Sequence, residues 1–260
     1  MKLQPVPDEA ALLFDRTIVV ADLHIGIEFG FRESGFVIPS QTERMLERLI
    51  DIADRHKAER AVIVGDIKHK IKSVSPQERA EIPPFFERVL EVVPEVHLVP
   101  GNHDANIFGV LPEKVKVHDP KGVKLDDVGF THGYAWPSQE AMYSEVLCMG
   151  HIHPSVLFVD RLGLRMTKRC WLRARFTGGG ERYDANPQEL IVIPSFNDFC
   201  GGFPVNSPTS GPMGPVLKSD LIDLENSRVY LLNGVDLGKL KDLIVSRSDN
   251  RRTKRPESRQ

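Results

Sequence analysis

The feature that most constrains the fold of this chain is an alternation of short apolar runs with helical patterns in its first half. The runs occupy residues 17–21 (TIVVA), 61–64 (AVIV) and 96–99 (VHLV), and their β-branched composition is typical of buried strands. A helical pattern lies between each run and the next, so the order is strand, helix, strand, helix, strand. This order predicts parallel strands joined by crossover helices.

Both helical patterns open with the residues of a capping box, in which a serine and a glutamate three positions later satisfy each other's backbone N–H groups. Ser40 and Glu43 precede the first pattern, MLERLIDIA. Ser75 and Glu78 open the second, where Pro76 fits the first helical turn. We therefore expect the helices to begin at these two serines.

After residue 115 the apolar runs become shorter, and turn residues separate them. The runs VGFTH, EVLCMG, VLFVD and ELIVIP predict a second, more antiparallel layer. The expected fold is therefore α/β, a two-layer β-sandwich of mixed sheets flanked by helices. We expect one domain over residues 1–245. Residues 246–260 carry six Lys or Arg against two acids, the composition of a disordered basic tail.

Composition limits the location and the partners of the chain. The formal net charge is -2, so contact with nucleic acid would have to come from a local basic patch. Cys148, Cys170 and Cys200 form no C-x-x-C pair and are expected to be reduced thiols. The start of the chain lacks the apolar segment of a signal peptide, and no run reaches the roughly 18 apolar residues of a membrane span. We expect a cytoplasmic protein without membrane contact.

Polar motifs follow the predicted strands at five places. In chain order they are Asp22-Leu23-His24, Gly65-Asp66, Gly101-Asn102-His103-Asp104, Thr131-His132-Gly133 and Gly150-His151-Ile152-His153. Parallel strands end at one edge of a sheet, so Asp22, Asp66 and Asn102 are expected to meet there. Residues i and i+2 of an extended segment face the same way, so Asp22 can converge with His24, and His151 with His153.

Each motif has an ordinary structural interpretation when it is taken alone. Gly-Asp and Gly-Asn are common in tight turns, and a single histidine at a strand end is more often structural than a ligand. We expect that structural role for His56, His97 and His118, which lie outside the motifs. Five motifs in succession, which use five of the nine histidines, indicate a metal site.

The ligand types suit two divalent ions that share a ligand at about 3.5–4 Å, an arrangement that activates a water and neutralises charge on a phosphoryl group. Imidazole mixed with carboxylate and amide oxygen favours transition metals over Ca or Mg. Manganese is the expected metal, with Fe, Zn, Co or Ni as alternatives.

The ordered set D-x-H, G-D, G-N-H-D, H-G and G-H-x-H resembles the calcineurin-like metallophosphoesterase superfamily. Within it, the runs ADLHIG, GDIKHK, GNHD and GHIHP look most like the bacterial and archaeal branch that includes the DNA-ligase-associated phosphoesterases. The resemblance implies an αββα fold and DNA-repair proteins as possible partners. It also implies that Asp66 bridges two metals; the ligands would be Asp22, His24, Asp66 and His153 for one, and Asp66, Asn102, His132 and His151 for the other.

The resemblance implies catalytic roles for the end of the third motif. His103 would contact the scissile phosphate and protonate or stabilise the leaving oxygen, and Asp104 would orient His103. Many members of the superfamily carry an acid or Asn three residues after the bridging Asp, and the Ser/Thr protein phosphatases add an Arg. Here these positions hold His69 and Lys70, so protein phosphatase activity is disfavoured. His69 could contact the metal ligands or the phosphate, or it could belong to a solvated basic turn with Lys68 and Lys70.

The stretch from Lys168 to Arg175 (KRCWLRAR) has two interpretations. It could follow a nucleic-acid backbone, with Trp171 stacking on a base. Alternatively, strand alternation could place Cys170, Leu172 and Ala174 inward and the bases in water. The basic tail has a similar ambiguity between an arm that binds nucleic acid and a merely soluble end.

The expected function is metal-dependent hydrolysis of phosphodiester bonds, in nucleic acid or nucleotides, by a hydroxide that bridges two metals. One alternative keeps the enzyme and changes the substrate to a phosphomonoester or a cyclic nucleotide. A second alternative is a scaffold that has kept the fold and lost turnover, although every ligand position of the motifs is filled here. The oligomeric state is left open by the sequence.

Overall fold

The computed structural model describes residues 3–178, 182–208, 211 and 213–245. Its strands are β1 Gln4–Pro5, β2 Ala11–Phe14, β3 Thr17–Ala21, β4 Arg60–Val64, β5 Glu95–Val99, β6 Lys116–Val117, β7 Val123–Leu125, β8 Val128–Thr131, β9 Val146–Met149, β10 Pro154–Val159, β11 Arg165–Arg175, β12 Glu189–Val192, β13 Phe203–Pro204, β14 Arg228–Leu231 and β15 Asp236–Lys239. Its α-helices are α1 Ile27–Glu33, α2 Thr42–His56, α3 Pro76–Val92, α4 Gln139–Met142 and α5 Gly214–Lys218, and two 3₁₀ helices lie at Ile107–Gly109 and Leu240–Leu243. The predicted basic tail, residues 246–260, lies outside the described residues.

The first sheet contains β1 to β6 in chain order, and its centre consists of the three strands predicted from the apolar runs. β3, β4, β5 and β6 are parallel, whereas β1 and β2 are antiparallel additions at one edge. The register pairs Ala21 with Val64 and Val64 with Val99. These three strands therefore end level with one another, and the residues that follow them leave the sheet at one edge.

The second sheet has the order β13-β10-β11-β12-β9-β8-β7, and β14 and β15 extend it from β11. Within the part of the chain that the structure describes, five of its eight strand pairs are antiparallel. The prediction of a second, more antiparallel layer is confirmed. β8, β9 and β12 are parallel to one another, so this sheet too is mixed.

The two sheets pack face to face through an apolar core. Val19 and Val62 of the first sheet belong to the same buried cluster as Phe130 and Ile191 of the second. The alternate residues of β3 point the other way, and Ile18 packs in the cluster that includes Leu46 of α2 and Phe86 of α3. Successive side chains of a strand face opposite sides, so each strand of the first sheet contributes to two cores.

The outer face of the second sheet is covered in a comparable way. Met142 of α4 and Val216 of α5 share a buried cluster with Leu172 and Leu190 of this sheet. The layers are therefore helices, sheet, sheet and helices, which confirms the predicted αββα arrangement. None of the described helices combines the length and the apolar character that crossing a membrane requires.

The capping box at the start of α3 is confirmed. The Ser75 hydroxyl accepts from the backbone N–H of Glu78, and the Glu78 carboxylate accepts from the backbone N–H of Ser75. Pro76 occupies the first turn, as predicted. Glu78 is fully buried, and its other oxygen accepts from the backbone N–H of Lys70 at 2.7 Å. The carboxylate of the capping box therefore also fixes the loop before α3, through the backbone of Lys70.

The capping box predicted at Ser40 and Glu43 is wrong. Helix α2 begins at Thr42, its N-cap is Gln41, and the Gln41 side chain does not cap it. The Ser40 hydroxyl accepts from the backbone N–H of Thr42 at 3.2 Å and donates to Glu81 of α3 at 2.9 Å. The serine side chain therefore contacts the first residue of α2 and a residue of α3, rather than Glu43 as in a capping box.

The stacking role considered for Trp171 in the stretch from Lys168 to Arg175 is also wrong. The stretch lies in β11, where Cys170, Leu172 and Ala174 are buried, as the alternation predicted. Trp171 is 1% exposed and packs between the sheets, so its ring is not available to a base. Both faces of β11 are therefore covered at Cys170, Trp171 and Leu172.

His56, His97 and His118, for which we predicted structural roles, lie away from the motif residues. His56 is exposed at the end of α2. His97 stacks on His118, and the Nδ1 atom of His97 lies 2.7 Å from the Nε2 atom of His118. The predicted structural role of this pair agrees with its position on β5 and directly after β6.

Replacing Glu78 with alanine tests the buried capping box. Two backbone N–H groups, those of Lys70 and Ser75, would lose their acceptor, so we expect Glu78→Ala to lower the free energy of unfolding by about 2 kcal/mol or more. Glu87→Ala, an exposed site on the same helix, should change it by less than about 0.5 kcal/mol. Urea denaturation measures both values. Equal stabilities would contradict the role assigned to Glu78.

Candidate metal centre

The predicted ligands come from the ends of strands in both sheets. Asp22 directly follows β3, and Asp66 and Asn102 follow β4 and β5 within a few residues. His132 directly follows β8 of the second sheet, and the segment with His151 and His153 follows β9. Because the sheets pack face to face, their strand ends meet, and most of these residues line one cleft of about 430 Å³.

The backbone of these segments differs from the extended geometry that predicted the pairing of i and i+2. Asp22 has φ 57° and His24 has φ 42°, while His151 has φ 74° and His153 has φ 44°. All four residues lie in the left-handed region, which is costly for residues other than glycine and concentrates at functional sites. The paired side chains still converge, but turns that follow the strands bring them together.

Backbone hydrogen bonds between the two sheet-edge segments hold this geometry. The N–H of Asp22 donates to the carbonyl of Gly65 at 3.2 Å, and the N–H of His24 donates to that of Asp66 at 2.8 Å. The segment after β3 is therefore fixed on the segment after β4. Asp66, with φ 48°, shares the left-handed conformation.

Two glycines of the motifs allow side chains to approach the backbone closely. A Cβ atom on Gly65 would lie 2.2 Å from the His132 ring, and a Cβ atom on Gly101 would lie 2.2 Å from Oδ1 of Asp66. Any side chain at either position would therefore displace a predicted ligand. This close approach explains why glycine precedes Asp66 and Asn102.

One group of ligands surrounds the carboxylate of Asp22. Its Oδ1 atom lies 3.0 Å from Nε2 of His132 and 3.4 Å from Nε2 of His153. The Nε2 atom of His24 lies 3.3 Å from Nε2 of His153 and 3.5 Å from Oδ2 of Asp66. Asp22, His24 and Asp66 each offer a ligand atom within 4.8 Å of the others, close enough to hold one ion.

A second group shares Asp66 with the first. Asp66, His132 and His151 each offer a ligand atom within 4.8 Å of the others. Oδ2 of Asp66 lies 3.5 Å from Nε2 of His132. Two clusters that could each hold an ion thus share the carboxylate of Asp66.

The buried polar atoms of this site fit a metal. The Asn102 amide oxygen is buried and has no hydrogen-bond partner among the described residues. A buried acceptor without a partner costs free energy, and a cation would satisfy it. Carboxylate, imidazole and amide oxygen together form a donor set suited to a divalent transition metal.

The pKa shifts of two histidines suit metal binding, whereas the pKa values of His132 and His153 are raised despite burial because both rings contact Asp22. Burial lowers the pKa of His24 well below its usual value and that of His151 to about 4, so both rings are neutral and have a lone pair to offer. Burial opposes ionisation of Asp22, but the charges and hydrogen bonds of His153 and His132 outweigh it and lower the pKa of this carboxyl. Burial raises the pKa of Asp66 despite the opposing charge of His132, and the nearby charge of Asp22 also raises it.

His103 and Asp104 occupy different positions around the site. The Nε2 atom of His103 lies 3.9 Å from Oδ2 of Asp66, while its Nδ1 atom contacts the carbonyl oxygen of His69. The Asp104 carboxylate accepts from the backbone N–H groups of Gly101 at 2.8 Å and Ile67 at 2.9 Å. The contact that orients the His103 ring is thus made by His69, and Asp104 fixes the loops that hold Asp66 and Asn102.

The interpretation of Lys68, His69 and Lys70 as a solvated turn is wrong for the first two residues. Lys68 is fully buried, and its ammonium donates to the carbonyl oxygens of Lys70, Ile71 and Ser73. His69 is half-buried, and its Nδ1 atom lies 3.4 Å from Nδ1 of His24. This loop therefore forms one wall of the site.

The sequence analysis missed two residues near the ligands. Lys68 was grouped with the exposed bases because nothing local distinguishes a buried lysine. Cys200 was assigned only as a reduced thiol, yet its sulfur lies within 4.8 Å of ligand atoms of His24 and His153. Lys68 follows Asp66 by two residues, but only the structure shows that it is buried, and only tertiary structure brings Cys200 to the site.

A family model and one solved structure agree with the fold, and two further structures align less well. The calcineurin-like phosphoesterase superfamily domain matches residues 16–170. Nuclease MPE of Pseudomonas putida has a similar structure, with a TM-score of 0.56 and 23% identity over 91% of this chain and 100% of that one. The phosphoesterase Yfce of E. coli aligns with a TM-score of 0.41 and 19% identity over 88% of this chain and 99% of that one. Vacuolar Protein Sorting 29 of Cryptosporidium parvum aligns with a TM-score of 0.35 and 15% identity over 86% and 97%.

A comparison with curated protein sequences gave no match. The family match spans more than half of the chain and includes all five motifs, from Asp22 to His153. The fold of this family implies divalent metal ions, and the clusters around Asp66 could bind them. The chain therefore belongs to the calcineurin-like phosphoesterase superfamily and is a hydrolase that acts on phosphate esters.

Proposed function

We propose that this chain is a metal-dependent phosphodiesterase that acts on nucleic acid or nucleotides. The observation that supports it most is the pair of ligand clusters that share Asp66. In this proposal Asp22, His24, Asp66 and His153 hold one ion, and Asp66, Asn102, His132 and His151 hold the other. Manganese is the proposed metal, and Fe, Zn, Co and Ni are the alternatives that the same ligands allow.

Two bound divalent ions supply a nucleophile at neutral pH and neutralise the charge that develops on the phosphoryl oxygens. The protein side chains position the substrate. The Nε2 atom of His103 faces the cleft because its Nδ1 atom is held by the His69 carbonyl. A protonated His103 would donate from Nε2 to a phosphoryl oxygen or to the leaving oxygen, which is the role of a general acid.

The cleft also offers surfaces for the groups attached to the phosphate. Phe203 and Met213 line it together with the ligands. The ring of Tyr134 also lies near the ligands, 5.8 Å from the His132 ring and 6.4 Å from the His151 ring, and 37% of Tyr134 is exposed. Apolar and aromatic surfaces next to a phosphate site suit an ester group that carries a base or another flat ring.

Removal of the shared ligand tests the metal site. Asp66→Ala should lower both metal content and hydrolysis of a chromogenic phosphodiester to background, because each cluster loses a carboxylate. Asp51→Ala, an exposed site on α2, should retain both. Elemental analysis and manganese-supported rates give the result, and circular dichroism checks folding. Full activity in a folded Asp66→Ala protein would overturn the proposed mechanism.

Replacement of His103 separates acid catalysis from metal binding. We expect His103→Gln to lower kcat by about 10²- to 10⁴-fold, because the proton donor is lost. The metal content should be unchanged, since His103 is outside both proposed ligand sets. His56→Gln provides an exposed histidine control. An unchanged kcat in His103→Gln would remove this residue from the mechanism.

A substrate panel tests the proposed substrate class. Single-stranded DNA, duplex DNA, RNA, cyclic nucleotides and phosphomonoesters are compared under one metal at several salt concentrations. We expect the highest kcat/KM on nucleic-acid phosphodiesters, with a marked decrease at high salt because a polyanion releases counterions on binding. A preference for phosphomonoesters or cyclic nucleotides would replace this proposal with the corresponding alternative.

A further inference from the structure

Cys200 differs from the other two cysteines in its surroundings. Cys148 and Cys170 lie within β9 and β11 and pack in apolar clusters. Cys200 lies in the loop after β12, and its sulfur is 4.0 Å from the backbone oxygen of Asp22. Its sulfur and the ligand atoms of His24 and His153 all lie within 4.8 Å of one another.

The loop that carries Cys200 is fixed at both ends against the ligand segments. The N–H of Phe196 donates to the carbonyl of Ala21 at 2.8 Å, and the Asn197 amide donates to that of Leu23 at 2.8 Å. On the other side of Cys200, the N–H of Phe203 donates to the carbonyl of His153 at 2.8 Å. The thiol is therefore held between the segment after β3 and the segment after β9.

We propose that Cys200 is an additional ligand at the Asp22 position when a thiophilic divalent cation such as Zn²⁺, Co²⁺ or Cd²⁺ occupies it. This inference rests on the proposed metal site. It assigns the thiol to the ion held by Asp22, His24 and His153. On binding, the sulfur forms a bond to the metal, and the thiol proton is released to solvent.

Burial and the charges of Asp22 and Asp66 raise the pKa of the free Cys200 thiol, but with two divalent cations bound both charge and ligand chemistry favour this assignment. Two divalent cations bring four positive charges, and the proposed ligand set contains two carboxylates, Asp22 and Asp66. A thiolate adds a third negative charge at a place where only 7% of Cys200 is exposed, so water screens it little. Sulfur prefers softer metals, so the Asp22 position should favour Zn²⁺ or Co²⁺ over Mn²⁺ more strongly than the His151 position does.

The alternative is that Cys200 acts as a small apolar residue, as a buried free cysteine commonly does. In that case a bound metal would be surrounded by nitrogen and oxygen alone. The two possibilities differ in the spectrum of the loaded protein, which can be read without measuring activity.

Titration of the metal-free protein with Co²⁺ tests the proposal. We expect a sulfur-to-cobalt charge-transfer band in the near ultraviolet as the metal binds. Cys200→Ser should bind Co²⁺ but lack the band, whereas Cys148→Ala should keep it. Zn²⁺ affinity should fall about 10-fold or more in Cys200→Ser, and Mn²⁺ affinity should fall less.

X-ray absorption of the Zn²⁺-loaded protein gives a second measurement that needs no cysteine variant. A sulfur neighbour at about 2.3 Å from zinc supports the proposal, and a shell of nitrogen and oxygen alone overturns it. Two bound ions without sulfur ligation would leave the proposed phosphodiesterase intact. If the protein binds no metal, both the thiol ligand and the proposed function fail.

Discussion

Two carboxylates buried at the ends of adjacent parallel strands are the constraint on which the rest of this structure depends. Asp22 and Asp66 are 0% and 2% exposed, and ionised carboxylates are costly in such surroundings unless positive charge or donors lie next to them. His132 is within 3.5 Å of both, and the divalent ions that this fold implies supply the remaining charge. The glycines and the left-handed turns then follow, because they let these groups approach one another.

Much of this arrangement could be predicted from the sequence because its signals are local. Buried parallel strands need continuous β-branched runs, and TIVVA, AVIV and VHLV satisfy that need. Crossover connections then bring the residues after these strands to one edge. The convergence of Asp22 with His24 was also predicted, but from extended geometry that the chain does not adopt. The actual cause is hydrogen bonding to the segment after β4, which a strand pattern cannot show.

The predictions that were wrong share a physical origin that is not local. Ser40, Lys68 and Trp171 each have a side chain whose partner lies far away in sequence or in an irregular loop. Glu81 accepts a hydrogen bond from the Ser40 hydroxyl, and three loop carbonyls accept from the Lys68 ammonium. The opposing sheet covers Trp171. Propensity and charge describe what a side chain prefers in isolation. Tertiary packing decides which partner a side chain contacts, and the sequence around these three residues does not reveal it. For this reason the sequence predicted exposure or a local contact for them.

The same distinction separates reaction chemistry from substrate choice. The motif residues surround positions that any phosphate ester would occupy, so they cannot by themselves distinguish a diester from a monoester. Discrimination requires contact with the groups attached to the phosphate, and the side chains that we propose for that contact are Tyr134, Phe203 and Met213. These residues belong to loops and short elements without a recognisable pattern, because a binding surface needs shape at one place rather than periodicity along the chain. Under this proposal, substrate preference depends on the residues about which the sequence says least.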